Sequence, residues 1–115
     1  MASPKFPLTV AGKHQILFVK PLPPAELTAW GHRYQEAGLL HDALEFYQAA
    51  SDRPALEALT ASAVDGADLV LLLNACRALG SEPSAAQLES LRQRATERGA
   101  DSVVRRVAAF LAAQS

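Results

Sequence analysis

One cysteine, one methionine and one tryptophan occur in 115 residues, and aromatic side chains make up only 6% of the chain. A single thiol excludes an internal disulfide and a zinc site built from cysteines, and it fits a reducing cytosol. The shortage of aromatics argues against a sheet protein, whose strands draw on Val, Ile, Thr and ring side chains. No long hydrophobic run occurs either. The longest strongly apolar stretch, Leu69 to Ala75, falls far short of the ~20 residues that cross a bilayer. Prolines interrupt the N-terminus, so it does not read as a signal peptide, and a cytoplasmic protein is expected. Catalytic signatures are missing too. Gly12-Lys13 lacks the flanking residues of a phosphate loop, and neither a Gly-x-Ser-x-Gly elbow nor a His-Glu-x2-His helix is present. These absences predict no enzyme, no cofactor and no metal.

Half of the chain is apolar, and Ala and Leu dominate that half. Such a composition favours packed helices. Net charge is −1, but it is unevenly spread. Residues 1–22 carry +3 from Lys5, Lys13 and Lys20; residues 23–84 carry −6; residues 85–115 carry +2. An acidic middle between basic ends can steer a partner, or let the N-terminal segment lie against its own domain.

Punctuation divides the chain at Pro23-Pro24. Before it, residues 1–22 hold two β-prone runs, Phe6 to Val10 and Gln15 to Val19, separated by Ala11-Gly12-Lys13-His14. They predict either a small β-hairpin or an extended arm. After it, residues 23–115 read as a helical-repeat domain. A first helix starts at the prolines, runs to Ala37 and stops at Gly38. The second covers His41 to Ser51, and Asp52 with Pro54 opens a third that ends near Asp65-Gly66. A fourth runs from about Ala67 to Leu79 before Gly80. Ser84 caps a fifth that ends at Gly99, and Asp101 caps a sixth. Short connections make these an all-α fold of three stacked antiparallel helical hairpins. Leu69 to Leu79 is apolar almost all round and calls for neighbours on more than one side. The last helix gathers Val103, Val104, Val107, Phe110 and Leu111 on one face, as a terminal cap does.

Within this pattern, Leu27, Trp30, Gly31 and Tyr34 are followed by Gly38, then by Ala43, Tyr47 and Ala50, with Pro54 at the exit. This spacing resembles one tetratricopeptide repeat over residues 25–54, with Trp and Leu exchanged in the first helix and Tyr where Phe is usual in the second. Residues 55–115 contain no second Gly-x2-Tyr, so the later hairpins would be degenerate repeats or a different helical cap. The resemblance implies a small α-solenoid that binds peptides or protein segments along the first helix of each pair. By that analogy Thr28, His32, Gln35 and Glu36 face the groove. The Lys and Asn that carboxylate-binding members of the family use are absent from this set.

Other candidates carry blander explanations. His32 with Glu36, and His41 with Glu45, have i,i+4 spacing, but helix-surface pairs of this kind are ordinarily solvated or ion-paired. Cys76 lies in the most apolar helix and reads as a small core residue. Asn74 and Arg77 are that helix's polar breaks. Arg92, Arg94, Arg98, Arg105 and Arg106 raise nucleic-acid binding, but interspersed acids dilute them. The chain is therefore expected to be a non-catalytic adaptor whose partner is another protein. The alternative is a self-assembling subunit whose basic N-terminal arm docks on the acidic middle of a neighbouring copy.

Overall fold

A computed structural model of the chain describes residues 6–114; the first five residues of the expected arm and Ser115 lie outside the described residues. The described residues form helices α1 to α7 and one π-helical turn, with no strand among them. The all-α class expected from composition is what they show. They divide into two compact units, one up to Asp52 and one from Arg53.

Residues 10–19 depart from the expected arm or β-hairpin. Helix α1 spans Val10–His14 and runs directly into the π-helical turn Gln15–Val19. Thr9 starts it, because its hydroxyl accepts the Gly12 N–H at 2.9 Å and its carbonyl accepts that of Lys13 at 2.8 Å. That cap commits the backbone to helix where a hairpin would need turn residues with positive φ. Neighbouring Ile16 and Leu17 are both buried. A strand would have sent them to opposite faces, whereas the wide turn keeps both inward.

Helix α2, Pro24–Glu36, begins with proline at N1, and the Pro23 carbonyl accepts the N–H groups of Glu26 and Leu27 at 3.0 and 3.1 Å. Its buried stripe is Leu27, Trp30, Gly31 and Tyr34, the 3-1-3 spacing of an amphipathic helix. Gly38 ends it at φ +80°, a conformation that costs a residue with a Cβ about 1 kcal/mol or more. The Leu39 N–H then returns to the Tyr34 carbonyl at 2.9 Å. Helix α3, Leu40–Ala50, packs along α2 and buries Ala43, Leu44, Phe46 and Tyr47. Rings line this contact: Phe46 stacks near Trp30 and Tyr34, with centroids 6.3 and 5.3 Å away. The N-terminal segment joins the same unit, since the Leu8 N–H donates to the Tyr34 hydroxyl at 2.9 Å and the Phe6 ring meets Tyr34 edge-on.

The second unit holds α4 (Arg53–Asp65), α5 (Leu69–Ala78), α6 (Ala85–Glu97) and α7 (Asp101–Ala113). Helix α4 packs with α5 and α6 with α7, and α4 also lies against α6. Arg98 ties the last pair by donating to the Asp65 carbonyl at 2.7 Å. The α4–α5 corner turns through Ala67 at φ 53°, so the left-handed residue is an alanine one place beyond Gly66. Asp68 caps α5, accepting the Leu71 N–H at 3.0 Å, and Ser84 with Gln87 forms a reciprocal capping box on α6. Asp101 does not cap α7 as expected. Ala100 holds that position without a side-chain bond, and Asp101 sits in the first turn, where its charge opposes the positive end of the helix.

Leu69, Leu71, Leu72, Ala75 and Cys76 of α5 are buried, while Val70 remains exposed. On α7 only Val107 is fully buried; Val103, Val104 and Leu111 are half-buried, and Phe110 is exposed. Leu88 and Leu91 of α6 are completely enclosed, each worth about 1.5–3 kcal/mol of burial. No helix among the described residues is long and apolar enough to cross a membrane.

Candidate functional site

Tyr47 organises the polar side of the first unit. Gly31 lets α2 and α3 approach until the Tyr47 ring lies over the glycine: a Cβ built there would come within 2.7 Å of Tyr47 Cδ1 and closer still to Cε1. With the ring laid across that gap, its hydroxyl reaches both His32 and Gln35. It lies 2.8 Å from His32 Nδ1 and donates to Gln35 Oε1 at 2.6 Å. A phenol that donates to Gln35 can still accept on its own oxygen, so the His32 Nδ1–H is its donor there. Burial, reinforced by the charges of Asp52 and Glu36, pushes the Tyr47 phenol above its ordinary pKa of 10.0 and keeps it a donor.

One turn earlier on α2, Thr28 donates to Asp52 Oδ2 at 2.9 Å. Asp52 reaches it because Ser51 takes a left-handed conformation, φ 53°, at the end of α3, and the Asp52 N–H then closes on the Tyr47 carbonyl at 3.0 Å. Thr28, His32 and Gln35 thus share a face of α2, each anchored to the α3 end of the unit. Glu36 is exposed beside them. The face offers an imidazole, an amide and a carboxylate at helical spacing, a set suited to hydrogen-bonding peptide groups.

A second polar cluster joins α1 to α3. Lys13 of α1 bonds to Asp42 and, at 3.0 Å, to Glu45, both on α3. Burial on its own would lower the Lys13 pKa, but the hydrogen bonds and charges of the two carboxylates outweigh it and hold the ammonium above 10.5. The signal for this cluster was the basic N-terminus ahead of an acidic middle, and the two meet within one unit. Around it opens a cleft of ≈ 450 Å³, with Val10, Phe18 and Leu39 among its apolar lining.

The His32–Glu36 and His41–Glu45 pairs have members engaged elsewhere: His32 bonds to Tyr47, and Glu45 to Lys13. Among the described residues no group of three or more His, Cys, Asp or Glu side chains is placed to hold a metal. Cys76 is 2% exposed, and burial raises its pKa above 9.0, as suits a core thiol. The C-terminal arginines do not form one patch of identical character. Arg92 pairs with Glu89 at 2.6 Å, Arg94 approaches Asp65 at 3.8 Å, and Arg98 caps the Asp65 carbonyl.

Compared with protein-family models, with curated proteins and with solved structures, the chain matches none.

Proposed function

We propose that the chain is a non-catalytic protein-binding module of tetratricopeptide-like design, which receives an extended segment of another protein along the polar face of α2. The observation that carries this reading is the bonding of His32 and Gln35 to one phenol oxygen. Side chains already held in place lose little freedom when a ligand arrives, which favours binding. The same phenol has its pKa pushed up, the reverse of what a nucleophile or general base at neutral pH requires. Within the second unit the α4–α5 and α6–α7 pairs are joined through α4 and α6, an arrangement in keeping with successive hairpins of the stack this role uses.

The test is capture of the partner from the cells that make the protein, using the full chain and a variant carrying His32→Ala, Gln35→Ala and Glu36→Ala. His32 and Glu36 are exposed and Gln35 is half-buried, so helical circular dichroism is recorded to establish that the variant folds. Loss of the captured protein is expected. Undiminished capture by the folded variant rules out this face.

A further inference from the structure

The cleft beside Lys13 has a composition that selects its occupant. Val10, Phe18 and Leu39 contribute to its wall while 90%, 67% and 42% exposed. His14 lies between Val10 and Phe18 in the chain, and its ring is 5.3 Å from that of Phe18. Inside, one ammonium faces two carboxylates, leaving a surplus of one negative charge, and Glu45 keeps half of its side chain exposed. An occupant therefore needs a large apolar side chain with a cation close by. Lys13 of the same copy is already committed to this cluster within the unit, so the cation must come from elsewhere.

We propose that the cleft receives helix α7 of a second copy of the chain. Arg106 and Phe110 stand one turn apart on α7, both exposed, with Arg105 adjacent. The acid of α7 is Asp101 in its first turn, so the helix carries +1 against the −1 of the cleft. Val70 is the other large apolar side chain exposed in the second unit, and no residue of α5 within one turn of it is basic. Within the second unit, the exposed ring and the cations coincide on α7. Each copy has this cleft and one α7, so a reciprocal pairing closes a dimer and a one-way pairing adds copies head to tail. A few apolar anchors and an ion pair place the contact at the small end of specific interfaces, and it forms at high protein concentration.

Sedimentation equilibrium of the full chain over a wide concentration range tests this. The weight-average mass should climb above that of the monomer as concentration rises. Phe18→Glu and Phe110→Glu should each weaken association about ten-fold or more. Glu45→Arg and Arg106→Glu should each weaken it, and the double charge exchange should restore it. Substituting His32, Gln35 and Glu36 should leave it unchanged, which separates this contact from the α2 face. A chain that stays monomeric throughout overturns the proposal, as does a Phe110→Glu variant that associates like the parent. Monomeric protein whose partner capture is lost with Phe18→Glu assigns the cleft to a different protein and overturns it equally.

Discussion

Gly31 and Tyr47 together set how closely α2 and α3 approach and where the phenol emerges. Gly31→Ala puts a methyl into the Tyr47 ring, which cannot swing aside without giving up His32 and Gln35. Overpacking costs typically 1–3 kcal/mol or more, and alanine recovers about 1 kcal/mol of helix propensity. A net loss of about 2 kcal/mol is expected in urea unfolding, and stability equal to the parent would refute the close crossing. The spacing of Gly31, Ala43 and Tyr47 was legible because small residues at a crossing leave a fixed sequence trace. The bonds of the phenol were not, since they depend on how far α3 slides along α2. Lys13 and Asp42 are 29 positions apart, and only the segregation of charge hinted at their meeting.

Elements were legible where chain punctuation is local. Pro24, Gly38, Gly80, Ser84 and Gly99 mark helix ends that the structure places within a few residues of expectation. The N-terminal segment misled because its Val, Ile and Phe suit strands, while the Thr9 cap and the burial of adjacent Ile16 and Leu17 favour a helical turn. Asp101 misled for a different reason: an acid in the first turn and an acid at the cap look alike in sequence, and both suit the helix dipole. The α3 corner carries a strain that no periodicity reveals, with Ser51 exposed at φ 53°. Ser51→Gly relieves it, partly offset by the greater freedom of glycine in the unfolded chain. A gain of about 0.5–1 kcal/mol in urea unfolding is expected; a loss would mean that the serine side chain itself holds the corner.

Across the whole molecule, protonation ties both units to the same pH response. Burial raises the Cys76 thiol above 9.0; burial, then Asp52 and Glu36, raise the Tyr47 phenol above 10.0; and Asp42 with Glu45 hold Lys13 above 10.5 against its burial. In each case the unfolded chain releases its proton first, so the folded state binds more protons in alkali and stability falls as pH rises. The contribution of these groups is fully present below about pH 8.5, where even an unfolded thiol keeps its proton. Urea midpoints should therefore decline from about pH 9 upward, and midpoints that rise through that range would contradict these environments.

The α2 face is proposed to meet another protein, and site-specific photo-crosslinking probes that contact. A photo-reactive benzoylphenylalanine is placed at position 36, or at exposed position 57 of α4 as a control, in the cells that make the protein. A discrete adduct with another protein at position 36, absent at position 57, is the predicted result. No adduct at position 36, or the same adduct at both positions, would contradict the assignment.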